Sequence, residues 1–220
     1  APQPYEELAA AGREPQAERL RGFAPTPPPM VALKGDLSRI AAGLSLRTSD
    51  EPAVSIIIPA YNNLRYTLEC LSALAGAGGL DQAGVIVVGD ASEDDSPRVL
   101  AGVRGLRLIC NTENLGFIRT CNRAAEAALG RVLVFLNNDV QVQKGWLRPL
   151  IDQLTDPAVG AAAPKMLFPD GRLQEAGARI NRDGSSEMIG LFEDPDQPRW
   201  NVARQVDYAS GACLAVRSDD

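Results

Sequence analysis

From Ala53 onward, continuous apolar runs alternate with stretches in which apolar residues return every three or four positions. Residues 54–58, 85–88, 106–110 and 132–136 are unbroken or nearly unbroken apolar runs, the pattern of strands covered on both faces within a parallel sheet. Between them, Leu64, Leu68, Leu71 and Leu74 fall on one face of a helix over 64–74. Similar spacing predicts an Ala-rich helix over 118–129 and another over 146–154. Such alternation predicts an α/β fold: an open, mostly parallel sheet flanked by helices, with its ligand site outside the carboxyl ends of the strands. Beyond Ala158 the rhythm changes. Asp170-Gly171 and Asp183-Gly184 are turn dipeptides between short strand-like runs, which predicts a C-terminal region of hairpins and loops.

The first 50 residues differ in kind. Residues 5–21 are rich in Ala, Glu, Leu and Arg and predict a short helix; Pro25, Pro27, Pro28 and Pro29 then impose an extended linker. A second short helix is predicted over 37–44. The division expected is a helical extension and Pro-rich linker over 1–50, suggesting a neighbouring domain upstream, and a main domain over 51–220.

Charge and composition narrow the chemistry. The net charge of −6 resides after residue 50, where 22 acidic side chains face 16 basic ones. That balance disfavours nucleic acid as a partner, because phosphate-backbone binders present basic surfaces. The absence of histidine excludes Ser-His and Cys-His catalysis and histidine-ligated zinc from this chain. Cys70, Cys110, Cys121 and Cys213 form no CxxC pair and sit in apolar or helix-like contexts, so buried, reduced thiols and a cytoplasmic setting are expected. No apolar run approaches the roughly 18 residues of a spanning helix, and the first 20 residues lack the pattern of a signal peptide.

Three polar clusters fall at the predicted carboxyl ends of strands: Pro59-Ala60-Tyr61-Asn62, Asp90-Ala91-Ser92 and Asn137-Asn138-Asp139. Each alone is an ordinary turn or helix cap; together they would line one crevice. Asp139 follows an apolar strand with no burial reason for a carboxylate, and it suits Mg²⁺ or Mn²⁺ when a diphosphate and water supply the remaining oxygens. Asn114 and Gly116 open the Ala-rich helix, where backbone N–H groups could face a phosphate. Phe117, Arg119 and Asn122 occupy its first turns; an exposed arginine and a packing phenylalanine are the plainer readings. Trp146 and Trp200 fit either a core or a sugar platform.

The ordered series is more specific than any member. Val54 to Asn62, Val87-Val88-Gly89-Asp90-Ala91-Ser92-Glu93-Asp94, Asn114-Leu115-Gly116-Phe117 with Asn122, and Phe135-Leu136-Asn137-Asn138-Asp139 closely resemble family 2 glycosyltransferases of the GT-A (Rossmann-like) fold. The likeness continues through Phe168 to Gly177 and Val206 to Leu214, and is nearest to the bacterial O-antigen, surface-polysaccharide and rhamnosyltransferase-like branch. It implies that Pro59, Tyr61 and Asn62 hold the nucleotide and that Asp90 reaches the base or ribose. Asn114, Gly116, Phe117, Asn122, Asn137 and Asn138 would shape the nucleotide-sugar pocket. Asp139 would be the metal ligand of a DXD-like motif whose first carboxylate is replaced by Asn137, and Gly211 and Ala212 would lie on the acceptor side. Gly89 stands where many relatives carry aspartate.

The resemblance further implies metal-dependent inverting transfer of a sugar from a nucleoside-diphosphate sugar to a saccharide or lipid-linked acceptor, in cell-surface polysaccharide synthesis. The setting implied is cytoplasmic, with peripheral attachment at the inner membrane also open. The catalytic residue is unknown in this segment: the acidic base is expected beyond Asp220, and Asp219 and Asp220 read better as the start of a helix. A noncatalytic nucleotide-sugar-binding module and a nucleotidyltransferase are the alternatives; Pro-Ala-Tyr-Asn after the first strand argues against the latter.

Overall fold

The computed structural model describes residues 24–218; the helix expected over 5–21, and Asp219 and Asp220, lie outside them. Two compact units divide the chain elsewhere than at residue 50. Among the described residues, one comprises Pro29–Pro164 with 209–218, and the other Lys165–Tyr208 with 24–28.

The larger unit is the expected α/β sheet. Strands β1 (Val54–Ala60), β2 (Ala83–Gly89), β3 (Leu106–Cys110), β4 (Val132–Leu136), β5 (Ala161–Ala162) and β10 (Cys213–Arg217) stand in the order β3-β2-β1-β4-β10-β5. The first four are mutually parallel. β10 runs antiparallel to β4, pairing Cys213 with Leu136, and β5 is antiparallel to β10. The chain lays down β1, β2 and β3 outward in one direction and then returns to place β4 on the other side of β1. The carboxyl ends of β1 and β4, on either side of this reversal, are the place where α/β sheets bind ligands.

Helices α1 (Leu37–Gly43), α2 (Leu64–Ala77), α3 (Ser96–Leu100), α4 (Gly116–Glu126) and α5 (Leu147–Gln153) accompany the sheet. Ile56, Ile57, Ile58 and Leu136 from the strands and Leu68, Leu71 and Leu74 from α2 are fully buried, each worth about 2 kcal/mol of apolar transfer. Helix α1 and the segment leading from it to β1 belong to this unit. Asp36 caps α1 by accepting from the Ser38 and Arg39 N–H groups, and the Leu46 N–H donates to the Arg104 carbonyl. None of the helices among the described residues is long and apolar enough to cross a membrane.

The elements depart from expectation mainly at their ends. α4 starts two residues early at Gly116 and stops at Glu126 rather than at 129. Just beyond it, Gly130 is fixed by packing: a Cβ there would lie 2.5 Å from the Ser55 nitrogen, so the chain passes the start of β1 with backbone alone. Helix α3 went unpredicted, although Asp95-Ser96-Pro97 carries the polar-then-proline signature of a helix start.

The smaller unit contains the expected hairpins. β6 (Met166–Leu167) pairs with β7 (Leu173–Glu175) around Asp170-Gly171, and β8 (Ala178–Ile180) pairs with β9 (Ser186–Met188) around Asp183-Gly184. Phe168 stacks on Phe192 at 5.2 Å, and the Arg172 guanidinium lies 4.8 Å from the Phe192 ring centre. Arg199 and Arg204 lie over the ring of Trp200, so cationic side chains cover a ring whose sequence context fitted a sugar platform.

Candidate functional site

At the carboxyl ends of β1, β2 and β3 the loops are bound to one another by short polar side chains. Asn62 adopts a left-handed backbone conformation (φ 53°). Its N–H donates to Ser92 Oγ at 2.9 Å, and its Oδ1 accepts from the N–H groups of Glu93 and Asp94. Asp94 in turn accepts from the Leu64 N–H at 3.2 Å and satisfies a first-turn donor of α2. Left-handed backbone suits asparagine better than branched side chains, which explains the residue type at 62.

Asp90 is the hub of this region and only 5% exposed. Its Oδ1 accepts from Asn111 Nδ2 and the Leu115 N–H, both at 2.8 Å, and its Oδ2 accepts from the Gly116 N–H at 2.9 Å. Asn111 also donates to Thr120 Oγ1 and accepts from Arg123 Nη1. Burial pushes the Asp90 carboxyl up, but the bonds from Asn111, Leu115, Thr120 and Gly116 outweigh it and hold the pKa below the ordinary aspartate value.

This arrangement corrects one expectation. The N–H groups of Leu115 and Gly116 are not available to a phosphate: Asp90 occupies both, and Asn114 Oδ1 shares the second at 3.1 Å. Gly116 is required by its φ of +75°, a left-handed entry into α4 that an L side chain would strain.

The far side of the crevice is built differently. Asn137 and Asn138 leave the end of β4, and the Val140 N–H donates to the Asn137 carbonyl, closing a turn with Asp139 at its corner. The Asn137 N–H donates to the Ala212 carbonyl at 2.9 Å, which sets Gly211 and Ala212, just ahead of β10, beside the turn. Asn138 Nδ2 donates to Thr67 Oγ1 of α2 at 3.0 Å, and Cys70 Sγ of α2 reaches the Asn137 carbonyl at 3.8 Å. Helix α2 is thus the strut between the two sides: Asp94 caps its start, and its second turn supports the turn bearing Asp139. The Asp139 carboxylate itself is exposed and makes no hydrogen bond or ion pair among the described residues.

The fold therefore gathers Pro59, Tyr61, Asn62, Asp90, Asn114, Gly116, Asn137, Asn138, Asp139, Gly211 and Ala212 at one end of one sheet. Phe117 is 54% exposed rather than packed, and Asn122 and Arg119 are also exposed on α4. Sequence reasoning missed Asn111, Thr67 and Thr120. Asn111 was within reach, since it follows β3 directly, as Asp90 follows β2; Thr67 and Thr120 sit inside helices, where a lone threonine carries no signal. A second correction concerns the thiols: Cys70, Cys121 and Cys213 are buried as expected, but Cys110 is exposed, and all four are free. Burial raises the thiol pKa of Cys121 to about 11 and that of Cys213 to about 12.

Among the described residues, no group of three or more acidic or cysteine side chains is placed to hold a metal. One exposed, uncommitted carboxylate fits a hard cation only as part of a joint shell in which a diphosphate and water complete the coordination. Asp139 meets that requirement.

An open α/β sheet whose strand order reverses beside β1 places this chain in a class of folds that bind ligands at the carboxyl ends of their strands, and comparison with known proteins makes it particular. The sequence profile described as Glycosyl transferase family 2 matches residues 55–212. This chain belongs to glycosyl transferase family 2. Among curated proteins it is 33% identical over 123 residues to the uncharacterized protein MT1568 of Mycobacterium tuberculosis, covering 54% of this chain and 38% of that protein. It is 45% identical over 64 residues to the O-antigen biosynthesis protein RfbC of Myxococcus xanthus, covering 29% and 5% respectively. This chain thus spans well under half the length of these relatives. The crystal structure of GalNAc-T7 with UDP, GalNAc and Mn²⁺ superposes with a TM-score of 0.56 at 16% identity, covering 77% of this chain and 36% of that one. This likeness is one of fold.

Proposed function

We propose that this chain is the donor-binding part of a glycosyltransferase that moves a sugar from a nucleoside-diphosphate sugar to a saccharide or lipid-linked acceptor in cell-surface polysaccharide synthesis. The single observation that carries the reading is the contrast between Asp139 and its surroundings: an uncommitted carboxylate at the switch point of a sheet whose other loop polar groups are mostly engaged with one another. The Myxococcus relative named for O-antigen biosynthesis and the fold neighbour crystallised with UDP, GalNAc and Mn²⁺ support it. The rhamnosyltransferase-like branch remains our reading of the motif series.

In this account Pro59, Tyr61 and Asn62 border the nucleotide, Asp90 holds the Asn111–Gly116 loop that forms its floor, and exposed Phe117 and Asn122 flank the entrance. Asn137 and Asn138 fix the turn that presents Asp139. A Mg²⁺ or Mn²⁺ ion held by Asp139 together with the diphosphate would neutralise charge on the leaving group. Gly211 and Ala212, hydrogen-bonded beside that turn, leave space next to the sugar for the acceptor. The displacement proposed is single-step and inverting, with a carboxylate deprotonating the acceptor hydroxyl; none of the described carboxylates is assigned that task. A cytoplasmic setting, where nucleotide sugars and free thiols coexist, completes the proposal.

The test is a thermal-shift and calorimetric screen of UDP, dTDP and GDP sugars with and without Mn²⁺, since a ligand that binds only the native state raises Tm. The expected result is a shift for one nucleotide that Mn²⁺ increases. No shift with any of them, with or without metal, would refute the reading.

A further inference from the structure

The turn carrying Asp139 runs into residues 140–145, a segment with little support of its own. Among the described residues, the N–H groups of 141–145 make no backbone–backbone hydrogen bond, and α5 begins only at Leu147. Its local backbone bonds are Val140 N–H to the Asn137 carbonyl and Trp146 N–H to the Gln143 carbonyl, and its side-chain tethers reach residues more than a hundred positions earlier. Gln141 Oε1 accepts from the Val31 N–H at 2.7 Å, and Gln141 Nε2 donates to the Val31 carbonyl at 2.9 Å. One side-chain amide thus pairs with both polar groups of one residue, much as a neighbouring strand would. Gln143 Nε2 donates to the Pro29 carbonyl at 3.1 Å. The same stretch is fastened to α2: the Leu33 N–H donates to Glu69 Oε1 at 3.0 Å, and Arg65 Nη1 donates to the Leu33 carbonyl.

We infer that residues 29–33 are a brace and that Gln141 is a positioning residue which, through this brace, fixes the turn presenting Asp139. The inference rests on the proposed role of Asp139 in holding the metal with the diphosphate. Three features carry it. The tether is bidentate and therefore directional; it attaches two residues beyond Asp139; and its other end is anchored to α2, the helix that also contacts Asn137 and Asn138. The backbone at 29–31, led by Pro29 and outside any helix or strand, suits the task, because it has no internal hydrogen bonds to lose and proline limits the conformational entropy given up. A brace of this kind leaves the nucleotide-side loops untouched, so its loss acts on the metal-dependent part of binding.

The test compares wild type, Gln141→Ala, Val31→Pro and the double variant, each as the whole chain. Nucleotide affinity for UDP, GDP and dTDP is measured with and without Mn²⁺, together with backbone ¹⁵N order parameters of residues 139–143 in the ligand-free protein. The expected result is a Mn²⁺-dependent gain in affinity about tenfold smaller in Gln141→Ala, for two lost hydrogen bonds, with metal-free affinity unchanged. Val31→Pro removes one bond from the other side, and the double variant should be no worse than Gln141→Ala, because both changes act on one pair. Order parameters should fall at 139–143. Unchanged order parameters, or an unchanged Mn²⁺-dependent gain in Gln141→Ala, would overturn the brace while leaving the functional proposal intact. A wild-type protein with no Mn²⁺ dependence for any of the three nucleotides would overturn the functional proposal, and this inference with it.

Discussion

Asp90 and Asp139 both follow apolar strands of one sheet, yet they do opposite things. Asp90 is buried and gives both oxygens to Asn111, Leu115 and Gly116. Asp139 stands exposed on a turn supported entirely by its neighbours. The contrast teaches that the carboxyl end of a strand selects for polar residues for two separate reasons. Loops crossing there have backbone donors to satisfy, and a ligand needs groups that nothing else has claimed. A carboxylate consumed by its own loops is architecture, and one left over is a candidate for chemistry.

Removing each carboxylate should split stability from binding. Asp90→Ala should cost about 3 kcal/mol of folding stability, since it takes the acceptor from the Leu115 N–H, one of two acceptors from Asn111 Nδ2 and one of two from the Gly116 N–H. Asp139→Ala should stay within about 0.5 kcal/mol of wild type yet lose the Mn²⁺-dependent part of nucleotide binding. Urea denaturation of both variants checks the first half of this contrast, and equal stability losses would erase it.

Acid should reveal the same asymmetry. Asp90 has a folded-state pKa below its unfolded value of about 3.9. Its stabilising contribution is therefore complete above that value and is lost as pH falls through it toward the lower folded pKa. Asp94, Asp170 and Asp183 are shifted the same way, so the informative quantity is the difference between wild type and Asp90→Asn. That difference should shrink as pH drops from about 5 toward 2; a constant offset across the range would show that the charge of Asp90 is not what its partners require.

Gly116→Ala should cost about 1 kcal/mol, through the left-handed entry to α4 rather than through any lost contact, and a neutral substitution would show that the entry can relax. The smallest effect concerns the thiols. Of the four free cysteines only Cys110 is exposed, so a maleimide or disulfide reagent should modify one thiol rapidly in the native protein and the other three only on unfolding. Rapid modification of Cys70 or Cys213 would mean that the core beneath the Asp139 turn opens readily.

Much of this was legible in the sequence, and the remainder was hidden for physical reasons. The strands at 106–110 and 132–136 were readable to the residue because each is a short, nearly continuous apolar run bounded by polar or turn residues. Their sheet order was not readable, since one apolar run pairs as well with any neighbour. Asn62, Asp90 and Asp139 were legible as residues of one crevice, through their common position after strands. Their division of labour was hidden: whether a carboxylate is satisfied depends on Asn111 and Gly116, over twenty residues away, and on a fold that brings them together. Cys110 was misplaced because β3 is the edge strand of the sheet, and an edge position looks like any other in an apolar run. Gln141 carried no signal at all, because its partner at Val31 uses only backbone atoms.

The most direct test of the role given to Asp139 is isothermal titration of the best-binding nucleoside diphosphate into wild type and Asp139→Ala, each with Mn²⁺ and with chelator. Mn²⁺ should tighten binding to wild type and have no effect on Asp139→Ala, with the two proteins alike in chelator. Equal enhancement by Mn²⁺ in both would contradict that role and remove Asp139 from the site.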